Sequence, residues 1–288
     1  MALSAFPYPG GKTRMVDEIL AHVPDHRRYV ELFGGSAALL LNKPESYVEV
    51  YNDRNSDVVH FFRTVRERRD DLQEWLRAVP YSRELHERWA RAFYDGHRPE
   101  DDVERAGRWF YLRYTQYGAK IDRYSGFKTS IKRSEPRSFR GAIDRLDAVV
   151  ERFQDVVVEC DDYATVVDRY DRPDTLFYGD PPYVETDYNY YGGGQFDHQR
   201  LFDVFADADG QWIVSYGQLP DVRIPPRLAR DLTVREFEAS YTLDVAEGES
   251  HAPATESLVM NFDPDVSPAF TDAEQTTLGT IADGGNDA

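Results

Sequence analysis

Six short runs of β-branched and aromatic residues constrain this chain more than any other feature: Tyr29–Phe33, Val48–Tyr51, Val156–Val158, Thr175–Tyr178, Trp212–Ser215 and Ser257–Phe262. They are apolar at successive positions, not only alternate ones. That is the pattern of strands buried on both faces, and it predicts a mostly parallel sheet covered on two sides in an α/β fold. No apolar stretch approaches the length of a membrane span, and the opening segment MALSAFPYPGGKTR lacks the apolar core of a signal peptide. A cytoplasmic protein with no membrane partner is expected. The single cysteine, Cys160, excludes an internal disulfide framework and a multi-cysteine zinc site, and it reads as a small buried residue. The seven histidines are scattered without ligand spacing, so no metal is expected.

Between the second and third runs the sequence changes character. Asn55-Ser56 offers a helix cap, and Val58, Phe62, Val65, Leu72 and Leu76 follow at helical spacing. Leu85, Trp89 and Phe93 continue at steps of four, and Arg105–Gln116 carries Trp109 and Leu112 on one face. The expected organisation is an α/β domain assembled from residues 1–57 and 151–262, with a helical insertion at 58–150. An acidic tail at 263–288 has six acids and no base, a composition that predicts disorder. Ser36–Leu41, apolar and just after a glycine pair, reads as helical.

The charge is high and uneven. The chain carries 52 acids and 34 bases, a net charge of −18. Lysine is scarce, limited to positions 12, 43, 120, 128 and 132. Acidity with so little lysine predicts a protein adapted to molar salt, where self-repulsion is screened. Residues 105–145 run the other way, with eleven Lys or Arg against Asp122, Glu135 and Asp144. A basic island in an acidic chain asks for an anionic partner.

Three motifs carry chemistry. Asp180-Pro181-Pro182-Tyr183 directly follows the run Thr175–Tyr178, where open α/β sheets bind ligands. Its carboxylate and a proline-fixed carbonyl can accept both hydrogens of an amino group, and its tyrosine offers a stacking face. Second, Val30-Glu31-Leu32-Phe33-Gly34-Gly35-Ser36 takes a strand into a glycine turn, and about twenty residues later Asp53 ends the next strand, placed for two ribose hydroxyls. The G-x-G-x-x-G fingerprint of nicotinamide binding is absent. Third, Tyr8-Pro9-Gly10-Gly11-Lys12-Thr13 ends like a P-loop, but Phe6 stands where that motif needs its first glycine, which excludes nucleoside-triphosphate hydrolysis.

Together these motifs resemble the Dam-like (D12 class) family of DNA adenine-N6 methyltransferases. The Gly-Gly-Lys segment at Tyr8–Lys12, the acid–aromatic–glycine loop at Glu31–Ser36, the acid Asp53 and the intact D-P-P-Y at 180–183 appear in that family's order. Asp161-Asp162-Tyr163, after a short strand, is similar to its adenine-side segment. Tyr117-Gly118 and Arg123-Tyr124-Ser125-Gly126-Phe127 are similar to its recognition hairpin, with Ala119-Lys120 and Ser125 replacing its usual asparagines. The resemblance implies a Rossmann-like S-adenosylmethionine-dependent sheet with an inserted target-recognition domain, acting as a monomer on double-stranded DNA. It implies cofactor contacts from Tyr8, Gly10, Gly11, Lys12, Glu31, Phe33, Gly34, Gly35, Asp53, Asp162, Tyr163 and Asp180, with Lys12 meeting the cofactor carboxylate. The catalytic loop would be Asp180, Pro181, Pro182 and Tyr183, acting on an extruded adenine. DNA would meet Tyr117, Lys120, Arg123, Lys128, Lys132, Arg133 and Arg137, and a paired restriction nuclease is a further expected partner. The tyrosine-rich segment Asp187–Gly194 reads either as a loop that closes over the base or DNA or as a plain surface loop. Cytosine N4, RNA adenine and a silent DNA-binding homologue stay open as alternatives.

Overall fold

The computed structural model describes residues 2–119, 123–183, 195–229, 232–239 and 254–265. The strands β1 (Arg28–Glu31), β2 (Val48–Asn52), β3 (Val156–Glu159), β4 (Thr175–Gly179), β5 (Gln211–Tyr216), β6 (Thr233–Ala239) and β7 (Ala254–Met260) form one sheet. Their order is β3-β2-β1-β4-β5-β7-β6. The first five are parallel, while β7 runs antiparallel to both β5 and β6. All six apolar runs are strands. β6 is additional, and its sequence Thr233-Val234-Arg235-Glu236-Phe237-Glu238 interleaves charges, as suits an edge strand with one face in water.

Successive strand side chains divide between two cores, the physical reason the runs are apolar throughout. Tyr29, Tyr51, Leu176, Tyr178, Ile213 and Leu258 enter one. Val30, Val50, Phe177, Val214 and Val259 enter the other. The second core is covered by α7 (Tyr163–Tyr170) and α8 (His198–Asp207). The first is covered by the insertion: α2 (Ser56–Glu67), α3 (Arg69–Ala78), α4 (Arg83–Tyr94), α5 (Asp102–Thr115) and α6 (Glu135–Phe153). A short 3-10 turn (Lys12–Arg14) and α1 (Val16–Leu20) precede the sheet. Phe62 of α2 stacks on Phe153 of α6 at 4.5 Å, and both rings touch Tyr51 of β2. The inserted helices thus share the sheet's core.

Capping fixes where these helices begin. Asn55, Ser82, Asp101, Ser134, Asp162 and Asp197 each accept a backbone N–H in the first turn ahead of them. Ser36–Leu41 departs from expectation and forms turns, not a regular helix. Ala37 sits at φ 56, outside the right-handed region, and Leu40 N–H is taken by the Glu31 carboxylate at 3.0 Å in place of a helical carbonyl. Cys160 also departs: it is exposed, because it lies at the end of β3, the sheet's other edge.

A buried ionic cluster fastens the last inserted helix to the sheet. Glu49 of β2 accepts from Lys43 Nζ at 2.6 Å and from Arg152 of α6 at 2.8 Å, with Glu49 and Lys43 both almost fully buried. Removing one partner of such a cluster leaves the other charge buried and unanswered. Glu49→Gln should therefore lower stability by about 3–5 kcal/mol in urea unfolding, well beyond the effect of an exposed pair.

Candidate active site

The chain leaves β1 toward β2 on one side and leaves β4 toward β5 on the other, so the crevice at the carboxyl ends of β1 and β4 is the sheet's switch point. Both chief motifs emerge there. Glu31 ends β1 and the glycine turn follows; Gly179 ends β4 and Asp180–Tyr183 follows. The two loops touch, since a Cβ added at Gly179 would lie 3.7 Å from the Phe33 ring.

The glycine turn is packed from below and braced by two buried acids. A Cβ at Gly34 would fall 2.1 Å from the Tyr51 ring, and Gly35, at φ 48, would crowd Tyr8 at 2.9 Å, so both positions exclude a side chain. Asp53 Oδ2 accepts from Gly35 N–H at 2.8 Å and its Oδ1 from Asn55 N–H at 2.7 Å. Glu31 accepts from Tyr29 OH at 3.1 Å as well as from Leu40 N–H. Burial pushes Asp53 up to about 6 and Glu31 up to about 8, against the hydrogen bonds they accept. Asp53, expected to face a ribose, is 1% exposed and has both oxygens engaged by the backbone. In this structure Asp53 and Glu31 act first as buckles of the turn. Asn52 adds a stitch, donating to Leu32 O and accepting from Asp161 N–H, which ties the loops after β1 and β3 together.

Lys12 arrives from the N-terminal loop. Gly10 at φ 71 and the bond from Gly11 N–H to Tyr8 O turn the backbone, and Lys12 Nζ donates back to Gly10 O at 3.1 Å. The same ammonium lies 2.6 Å from Asp180 Oδ1 and 3.5 Å from Glu256 Oε1 of β7. It also sits 4.7 Å from the centre of the Tyr183 ring. Lys12, expected to meet a cofactor carboxylate, is thus held by two protein carboxylates. Ser215 of β5 donates to Asp180 Oδ1 at 3.0 Å and shares a hydrogen bond with Tyr178. Both donors address Oδ1, and no described residue donates to Oδ2, while one-fifth of the side chain is accessible. Burial pushes the Asp180 carboxyl up; Lys12 opposes that and Glu256 adds to it. Pro181 is buried, with Pro182 and Tyr183 half-buried. Ser215 and Glu256 were missed in the sequence because each is one residue of a strand, with partners distant in the chain.

An aromatic wall continues the crevice. Phe33 and Tyr163 stand 5.4 Å apart, and Phe196 packs against both. Asp162 caps α7 and is bound by Arg200 at 2.7 Å, which keeps its carboxyl below the usual range.

The segments expected to form the recognition hairpin pair with each other in the insertion. Gln116 bridges Phe127 antiparallel, Tyr117 N–H donates to Gly126 O, and Gly118 takes φ 68 at the turn. Buried His86 fixes its base through Thr115 Oγ1 at 3.0 Å and Ser125 O at 3.1 Å. The basic island is not one surface. Arg105 pairs with Asp57, Arg108 with Glu104, and Arg113 is buried, all serving the helix bundle. Tyr117, Arg123, Lys132, Arg133 and Arg137 are exposed. Lys128 and Arg133 flank buried Glu135 at 3.8 and 2.6 Å. Lys120 and the segment Asp187–Gly194 lie outside the described residues, as does most of the tail. Among the described residues no three His, Cys, Asp or Glu side chains gather as a metal ion requires, and no helix is long and apolar enough to cross a membrane.

Residues 8–241 match the profile of the D12 class N6 adenine-specific DNA methyltransferases. The chain belongs to this family. A "DNA N-6-adenine-methyltransferase" of Escherichia phage P1 is 26% identical over 226 residues, covering 71% of this chain and 28% of that protein. "Type II methyltransferase M.CviBI" of Paramecium bursaria Chlorella virus NC1A is 22% identical over 84% of this chain and 92% of its own length. The "DNA adenine methylase" of Escherichia coli strain K12 is 28% identical over 62% of this chain and 63% of its own. The chain thus spans about a quarter of the phage protein and nearly all of the chlorella-virus one. In this member of the D12 family Asp162, the glycine turn and the D-P-P-Y loop all follow the carboxyl ends of sheet strands.

The buried turn acids give the fold a pH dependence with a definite sign. Glu31 holds its proton more tightly folded than unfolded, so its stabilising contribution is complete below the ordinary carboxylate range and fades as pH rises toward 8. In Glu31→Gln this change is absent. The melting temperature of that variant minus that of the parent should rise by about 2–4 °C between pH 5 and pH 8 in calorimetry.

Proposed function

We propose that this chain carries out its family's reaction, moving a methyl group from S-adenosylmethionine to the amino nitrogen of an adenine extruded from double-stranded DNA. The observation that carries the reading is Asp180 at the switch point, recessed and fixed through Oδ1, with no described residue donating to Oδ2.

The cofactor class fits the residues present. Phe33, Tyr163 and Phe196 offer flat apolar faces for a purine. Gly34 and Gly35 give a backbone wall where side chains have no room. Two carboxylates, Asp180 and Glu256, share the single Lys12, an excess negative charge that suits a sulfonium. When bound, S-adenosylmethionine supplies a methyl group made electrophilic by that sulfonium.

The chain's own residues then do the rest. An adenine amino nitrogen is a poor nucleophile because its lone pair is delocalised into the ring. Asp180 Oδ2 and the Pro181 carbonyl accept its two N–H bonds, which favours a pyramidal nitrogen with the lone pair directed at the methyl. Each such fixed acceptor contributes about 3 kcal/mol in the transition state. Tyr183 gives the extruded base a stacking surface, and extrusion itself is required because the amino group is not reachable inside the duplex. Asp53, Glu31, Asp162 and Tyr8 shape the cofactor side by holding the turn and the aromatic wall.

DNA is engaged by the hairpin and the start of α6, with Tyr117, Arg123, Lys132, Arg133 and Arg137 facing outward and Lys128 beside them. The acidic remainder of the chain supports a working environment of high salt, where phosphate attraction is weakened and stacking and base contacts carry more of the affinity. A single chain suffices for the site, and a paired restriction nuclease is the partner that such a modification would protect against.

Asp180→Asn should lower transfer of labelled methyl by about a hundredfold or more, while S-adenosylmethionine binding in calorimetry stays within about threefold. Equal loss of both would overturn the assigned role. Digestion and mass analysis of the product should give N6-methyladenine; N4-methylcytosine would move the substrate to another base. Reversing Arg123 and Arg137 to Glu should weaken DNA binding by about tenfold or more at low salt, leaving cofactor affinity unchanged.

A further inference from the structure

Lys12 is answered by two carboxylates, and the chemistry above uses only one. The other, Glu256, stands on β7, two strands away from the strand that feeds the catalytic loop. Its face of β7 continues into Leu258 and Met260, both in the core, so an apolar side chain is what the row would ordinarily hold. Glu256 is instead a carboxylate with 0% exposure. Burying such a group is costly unless specific partners answer it. Here the partners are Lys12, at 3.5 Å, and the hydroxyl of Tyr183, which donates to the same Oε1.

We propose that Glu256 is a positioning residue for methyl transfer, holding the Tyr183 ring and the Lys12 ammonium where the extruded base and Asp180 require them. The proposal rests on the methyltransferase reading above. Lys12, Tyr183 and Glu256 close a triangle of three different interactions: an ion pair, a hydrogen bond and an ammonium over an aromatic face. The tyrosine hydroxyl is the far end of the ring, so a fixed acceptor there removes the ring's freedom to tilt away from a stacked base. Lys12 is drawn toward Glu256 as well as Asp180, which moderates its hold on the carboxylate that must accept the adenine amine. Removing the Glu256 carboxylate would take away the acceptor that the Tyr183 hydroxyl uses and one of the two carboxylates that hold the Lys12 ammonium.

The test is a kinetic cycle on the full chain with S-adenosylmethionine and a DNA that the parent protein methylates. Glu256→Gln keeps the volume and an acceptor for Tyr183 but removes the charge facing Lys12; Tyr183→Phe removes the hydrogen bond from the other side without touching β7. Each should lower kcat by about ten- to a hundredfold, with KM for both substrates within about threefold. In the Tyr183→Phe background, Glu256→Gln should cost less than half of its effect alone, since the two changes break one assembly. Thermal melting checks that each variant is folded. Unchanged kcat in a folded Glu256→Gln variant, strictly additive effects, or a loss seen only in KM would overturn the proposal. If Glu256→Gln does not fold, Tyr183→Phe decides: a parental kcat there overturns it. A parent chain that methylates no DNA would instead sink the underlying reading of function, so the two failures are told apart.

Discussion

An ammonium near the start of the chain meets a carboxylate 168 residues later at 2.6 Å, and the site is organised around that contact. Lys12 is almost fully buried, so its charge has to be answered by protein groups, and the fold places Asp180 around it from the loop after β4 and Glu256 from β7. In turn Lys12 offsets part of the penalty that burial imposes on Asp180. The N-terminal loop, the β4 loop and β7 are thereby locked into one arrangement. An uncompensated charge at any corner would cost several kcal/mol, which makes the arrangement cooperative.

The same economy of space explains the glycine turn. Tyr51 and Tyr8 fill the volume beneath Gly34 and Gly35, while Asp53 takes up the Gly35 N–H and Glu31 takes up the Leu40 N–H that a regular helix would have used. A continuous helix at Ser36–Leu41 would demand that Leu40 N–H return to a backbone carbonyl, and Glu31 has claimed it. The turn is therefore held by long-range contacts from β2 and the N-terminal loop, and it presents backbone to the crevice.

How much of this the sequence shows follows from where each signal resides. Strands buried on both faces leave unbroken apolar runs, so six of the seven were visible; β6 was not, because half of it faces water and its charges break the run. Asp180–Tyr183 was visible because all four residues sit on one loop. Glu256 carries no local signal: its meaning comes from Lys12 and Tyr183, which only the folded sheet brings to it. A window of net charge misleads in the opposite way. Residues 105–145 look like one basic patch, yet Arg105, Arg108 and Arg113 lie on α5 and serve its packing and ion pairs, whereas Arg123, Lys132, Arg133 and Arg137 lie beyond it on the surface. Helical phase and burial sort these residues, and a linear count records neither.

Electrostatics sets the crevice at the sheet end apart from the exposed face of the insertion. Glu31, Asp53, Asp180 and Glu256 bring four carboxyl groups to one end of the sheet, and Lys12 is the base seated among them. Burial biases the first three toward their protonated forms, and a cation in the crevice would draw them back toward ionisation. The exposed bases of the hairpin and of α6 instead favour a polyanion. An extruded adenine is itself uncharged at neutral pH, so it can enter the anionic crevice while its phosphates stay with the basic hairpin. Opposite local charges at the two surfaces thus suit the two substrates of the proposed reaction, within a chain whose net charge alone would repel DNA.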